Sequence, residues 1–274
     1  MRYHLCIIAG VFGLLPLGGG VQECSAQGGV RAGTTPAMPR VYTPTRTRSL
    51  RIKFPWRKRI TTTVFWVGEK PTPRNPTPNS ASSWDPSWQK NFGGYDDPSP
   101  DQRAWDFRPK GFLPKLNPFY VALPFNDVVN HDTARRVIPW FRLAPKARRT
   151  KSVCQGQWIA IRTGRKICYA QWEDCGPFVT DDWAYVFGFT PPKNRENGGA
   201  GLDVSPSVRD YLGIRSGVKC DWRFVDLSEI PPGPWRKYGS NNPFVRAAAA
   251  KAKKSEKSLE EMKRARDEWL KNSR

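Results

Sequence analysis

The segment Gln157 to Glu173 constrains the fold most. QWIAIR and KICYAQWE alternate apolar and polar residues on either side of Thr163-Gly164-Arg165. Two runs of period two joined by a glycine turn predict an antiparallel hairpin. Other runs are rich in β-branched and aromatic residues: TTTVFWVG (Thr61 to Gly68), FYVALP (Phe119 to Pro124), Gly201 to Val204, and DWRFVD (Asp221 to Asp226). Together they predict a mainly β domain of about six strands. The 26 Pro and 23 Gly argue against a helical bundle. The 12 Trp supply apolar surface that a disordered chain would lack.

One short helix is predicted inside the domain. Ser205 caps it, Pro206 takes its first position, Val208, Tyr211 and Leu212 form its buried face, and Gly213 ends it. Residues 69–117 form a long Pro/Trp-rich insertion, with Trp84, Trp88 and Trp105 expected to pack onto the domain. Residues 244–274 predict a basic amphipathic helix, in which Glu260 with Arg264 and Asp267 with Lys271 provide i, i+4 pairs.

The formal charge of +21 is unevenly placed. Residues 27–60 hold nine basic residues and no acid, and read as an extended basic arm; the terminal helix adds a further excess of five. Residues 1–26 have a short basic lead, the apolar run Leu5 to Leu17 and a small-residue end at Ala26, the pattern of a secretory signal peptide. The chain is therefore expected to be exported, to the periplasm, cell envelope or exterior. Residues 61–243 make up the expected domain.

Without the leader, four cysteines remain: Cys154, Cys168, Cys175 and Cys220. In an exported chain an even number favours two disulfides over a metal site. Of the three possible pairings, the hairpin favours Cys154 with Cys175 and Cys168 with Cys220. Of the two histidines His4 falls in the expected leader, and His131 stands in a polar stretch expected to be surface loop, so a His-rich metal site is not expected, nor is a cofactor.

The stretch Cys168 to Leu212 holds the distinctive motifs: Asp174-Cys175-Gly176-Pro177-Phe178, then Asp203-Val204-Ser205 before the capped helix, and Leu212-Gly213 at its end. With Leu123-Pro124 ahead of the hairpin, these resemble the double-psi β-barrel domains of the rare lipoprotein A family. More distantly they resemble expansins, lytic transglycosylase A and family-45 endoglucanases. The resemblance covers about 110 residues, Asn117 to Leu227. It implies a six-stranded double-psi barrel that binds or cleaves cell-wall glycan, with Asp174 and Asp203 as its carboxylates. Glycosidic cleavage needs a carboxylic acid to protonate the leaving oxygen, which is why two acids near one cleft carry interest.

The chain departs from the family pattern where Cys175 replaces an arginine and Tyr120 stands in place of a histidine. Tyr120, Trp183 and Tyr185 are the expected substrate-binding residues, since sugar rings stack on aromatic faces. Glu69 follows the first strand, near where the endoglucanases place their base, but is a single residue in a polar loop and is set aside. The expected partner is a peptidoglycan-like polysaccharide. The basic extensions suit an anionic envelope polymer or membrane surface. Nucleic acid is disfavoured by the leader and by the absence of any nucleic-acid motif. A non-catalytic expansin-like or structural envelope protein is the alternative to an enzyme.

Overall fold

The computed structural model describes residues 45–46, 52–73, 75–143 and 151–272. The expected leader and most of the expected arm lie outside the described residues. Six strands close into a mixed barrel: β1 (Arg57–Val64), β2 (Tyr120–Leu123), β3 (Trp158–Thr163), β4 (Lys166–Cys175), β5 (Leu202–Val204) and β6 (Val218–Phe224). Around the barrel the order is β1-β5-β2-β4-β3-β6, returning to β1. β1 with β5 and β2 with β4 run parallel, and the other four pairs are antiparallel. Closure leaves none of the six with an unpaired edge.

The hairpin forms as its alternation requires, with Trp158 opposite Gln171 and Thr163 opposite Lys166. Gly164, at φ 53°, lies in the tight turn between β3 and β4 and supplies a left-handed conformation at little steric cost. Alternate residues point inward: Val121 and Leu123, Ile159 and Ile161, Ala170 and Trp172, Leu202 and Val204, Trp222 and Phe224 all join one core. Trp172 is fully buried, its ring 6.0 Å from that of Phe224 and 6.3 Å from that of Phe187.

The first strand begins at Arg57, inside the segment expected to be an arm, and ends at Val64 rather than Gly68. Arg57 is buried because its guanidinium donates to Val186 O (2.9 Å) and Gly188 O (3.1 Å) and lies over the Trp222 ring. Beyond Val64, Phe65 and Val67 leave the barrel and form a second apolar cluster with Trp88, Phe92, Tyr120 and Ala122. Within the insertion, α1 (Trp88–Phe92) presents Trp88 and Phe92 to this cluster, and Trp84 meets Trp172 edge-on at 5.6 Å. Trp105 differs from expectation: it is 83% exposed, with the Lys237 ammonium 4.6 Å from its ring centroid.

A buried ionic knot ties the insertion to the barrel. Arg103 pairs with Asp96 and donates to Ser207 Oγ at 2.6 Å. Asp96 also accepts from the Tyr120 hydroxyl at 2.7 Å, and that hydroxyl accepts from Val67 N at 2.9 Å. Two further short helices are α2 (His131–Val137) and α3 (Trp183–Val186). His131 therefore opens a helix instead of lying in a loop, and its ring sits edge-on to Phe141 at 5.7 Å.

The capped helix is α4 (Pro206–Leu212). Ser205 Oγ accepts from Val208 N and donates to Pro118 O, and Gly213 ends the helix at φ 70°. α5 (Pro243–Asn272) is a 30-residue helix, about 45 Å long at 1.5 Å per residue. Phe244 packs against Trp158 at its start, and no residue of α5 is buried. No helix among the described residues is long and apolar enough to cross a membrane. The expected disulfides are not formed: all four cysteines are free thiols, with Cys154, Cys168 and Cys220 buried and Cys175 partly so.

Candidate active site

Asp203 and Asp174 line one cavity of about 590 Å³. Strand register explains how. Asp203 of β5 lies opposite Thr63 of β1 on one side and Ala122 of β2 on the other, and Ala122 lies opposite Asp174 of β4. Residues directly opposite share a face, so the two carboxylates flank the Ala122 methyl. Two strand spacings place their backbones about 10 Å apart.

A bulge makes this possible. Val121 pairs with Trp172 and the next residue, Ala122, pairs with Asp174, so β4 carries one extra residue at Glu173. Strict alternation would send Asp174 inward with Trp172. The extra residue turns it to the outer wall, as bulges commonly re-aim a side chain beside a site.

The rest of the cavity comes from the insertion and from the turn after β4. Glu69, Asn79 and Ser83 line one side, and Gly176, Pro177 and Phe178 the other. A Cβ built on Gly176 would lie 3.7 Å from Asp203 Oδ2 and 3.9 Å from Ala122 Cβ, so the turn passes close over the acid. Phe178 has φ 59° and is 45% exposed; this backbone region is uncommon for a bulky side chain and here holds the ring at the mouth of the cavity.

The two aspartates differ in environment. Burial raises the Asp203 carboxyl to about 7, against the lowering effect of the Thr63 hydroxyl that donates to it; the charges of Asp174 and Glu69 raise it further. Asp174 Oδ1 accepts from Ser83 N at 2.7 Å and Cys175 N at 2.8 Å. Burial also raises Asp174, while these bonds favour its anion. Glu69 is raised by burial as well and accepts from Asn79 Nδ2 at 2.9 Å. No basic residue is among the described residues lining the cavity. The arrangement thus places one carboxyl raised to about 7 beside a second that burial also raises but that accepts from two backbone amides, an inequality of environment suited to acid/base work.

The expected aromatic residues do not reach this site. Tyr120 is 1% exposed and bonded to Asp96 beneath the insertion, so it has no surface to offer a ligand. Tyr185 is equally buried: its hydroxyl donates to Gly201 O at 3.0 Å and accepts from Trp222 Nε1 at 2.6 Å. Trp183 opens α3, partly buried against the main core, and does not line the cavity. In their place the structure brings Phe178, Glu69, Thr63 and Ser83. Phe178 was visible within the Asp-x-Gly-Pro-Phe turn, and Glu69, set aside as a single residue in a polar loop, does line the cavity; no local signal marked Thr63 or Ser83.

Among the described residues, no three His, Cys, Asp or Glu are grouped to hold a metal ion. No protein-family model, curated protein or solved structure matches the chain.

Proposed function

We propose that the chain is an exported envelope protein whose barrel belongs to the double-psi class, resembles rare lipoprotein A, and cleaves cell-wall glycan in the manner of a lytic transglycosylase. The observation that carries this reading is the pairing across Ala122 of Asp203, with a carboxyl titrating near 7, and Asp174, bonded to two backbone amides. Asp203 protonates the leaving glycosidic oxygen. The same group, once ionised, takes the proton from the sugar hydroxyl that closes onto the anomeric carbon, so one carboxyl serves both transfers. Asp174 keeps the Asp203 proton in place through its negative charge and stabilises positive charge developing on the sugar ring. Phe178 offers an exposed ring for a sugar face at the cavity mouth. The fold reading is supported by the two parallel pairs within the closed barrel and by both motif aspartates lining one cavity.

The test is incubation of the purified protein with peptidoglycan and mass analysis of the soluble products. Release of 1,6-anhydro-ended fragments, lost in Asp203→Asn, supports cleavage. A second reading, a binder that loosens wall glycan without cutting it, is favoured by the amide bonds to Asp174, which are also those of a turn-holding aspartate. Sedimentation with the polymer without product would establish that reading instead.

A further inference from the structure

A second cavity, of about 520 Å³, lies against the same face of β1, and its charge is opposite to that of the first. Lys58 and Arg59 of β1, Lys219 of β6 and Arg195 line it, and none of the described lining residues is acidic. A bulge in β1 presents the first two. Arg57 pairs with Trp222 and Ile60 with Cys220, so three steps on β1 meet two on β6. At the extra position Arg59 adopts φ 56°, with its amide donating to Asp221 Oδ1 at 2.9 Å. Lys58 and Arg59 are consequently both exposed while Arg57 and Ile60 are buried. Lys219 Nζ is held by a neutral partner, the Thr61 hydroxyl at 2.9 Å, and that hydroxyl donates to Gly198 O at 3.0 Å. Four exposed cations and the buried Arg57, with no acid among the described lining residues and Asp221 behind the Arg59 amide balancing only part of them, leave a field that an anionic ligand would neutralise.

The position of this cleft decides which ligand. Thr61 lines the cationic cavity and Thr63, two residues on along the same face of β1, lines the carboxylate cavity. That step is about 7 Å. The loop from Asn194 to Gly199 is shared too: Arg195, Gly198 and Gly199 face the cationic side and Asn197 the acidic side. A linear chain seated over Asp203 and running along β1 from Thr63 towards Thr61 would meet the cationic cleft. The carboxylate cavity repels anionic groups and favours a neutral sugar, while the neighbouring cleft attracts them.

We propose that the cationic cleft is a subsite for the anionic substituent of the glycan, a carboxylate or phosphate group borne by a sugar adjacent to the bond over Asp203. This rests on the glycan reading above and assigns the substrate class as an acidic polysaccharide. The Trp56 ring in this cleft carries Arg162 at 4.5 Å and Arg223 at 5.3 Å, while Phe189 in the same lining is 66% exposed, so nucleic acid is separated from glycan by the experiment below.

The experiment uses the full chain carrying Asp203→Asn, so that binding is measured without turnover. Calorimetric titration compares soluble peptidoglycan strands with free carboxylates and the same strands with those carboxylates converted to methylamides. Free-acid strands are expected to bind at least tenfold more tightly at low salt. Adding Lys219→Ala and Arg195→Ala is expected to remove the preference, and Lys257→Ala with Lys271→Ala on α5 to leave it. Equal binding of the two strands, or a preference that survives loss of Lys219 and Arg195, overturns the subsite while leaving the glycan reading intact. Binding of neither strand overturns both. Tighter binding of a thymidine oligonucleotide through Lys219 and Arg195 overturns the assignment to a glycan.

Discussion

Asp203 sits two residues before Ser205, the N-cap of α4, where free backbone amides favour an anion. Burial overrides that preference and raises its carboxyl to about 7. The thermodynamic consequence follows from linkage. An unfolded aspartate titrates at an ordinary 3.8, so between that pH and about 7 the folded chain holds a proton that the unfolded chain has released. Stability therefore falls as pH rises across that window. Asp203→Asn, which keeps an oxygen to accept from Thr63, is expected to raise the melting temperature at pH 8 by on the order of 3 °C. At pH 4 calorimetry should show no gain, and a variant no more stable at pH 8 would contradict burial as the cause. Both acids were legible as residue types in motifs. Tyr120 and Tyr185 were misread for physical reasons. Tyr120 does point outward from the barrel, but the insertion covers that wall. Asp182 caps α3 by accepting from Tyr185 N at 3.3 Å, and Tyr185 turns into the core.

At the scale of elements, local pattern was a good guide where neighbours in sequence are neighbours in space. The β3–β4 hairpin and the Ser205–Gly213 helix lie where turn chemistry and capping put them. The bulge at Glu173 was not legible, because period-two alternation contains no signal for an extra residue; the parallel pairing of β4 with β2 reveals it. The basic start of β1, Arg57 to Ile60, was missed for a similar reason, since carbonyls more than a hundred residues away accept from Arg57. The insertion reads as loop, yet Arg103 anchors it. Arg103→Met leaves Asp96 buried without its partner and is expected to cost about 3–5 kcal/mol in urea unfolding. An unchanged midpoint would show that the knot contributes nothing. By contrast, α5 buries no residue, so ending the chain after Arg246, which retains the Phe244 contact with Trp158, should leave the melting temperature within about 2 °C. A larger loss would mean the helix supports the barrel.

Across the whole molecule, the net charge of +21 conceals a separation of sign. One cavity on the outer face of β1 is lined by carboxylates with no basic residue described, and the neighbouring one by cations with no acid described. Bulk composition suggested a basic protein that seeks polyanions. The barrel wall instead carries neighbouring cavities of opposite charge, and ladder registers help to build both. Ala122 is the smallest part of this arrangement on which much depends, since it separates the two aspartates. Ala122→Leu is expected to fill the gap and reduce product release at least tenfold while leaving circular dichroism unchanged; undiminished release would show that the gap is not the site of reaction.

The central claim is that Asp203 acts as a protonated carboxylic acid raised to about 7. The most direct test is the pH dependence of anhydro-fragment release from peptidoglycan by the purified protein. Release should fall about tenfold per pH unit above 7 as Asp203 loses its proton, decline again in acid as Asp174 takes one up, and vanish in Asp203→Asn. Release that stays level from pH 6 to pH 9, or that persists in Asp203→Asn, would contradict it.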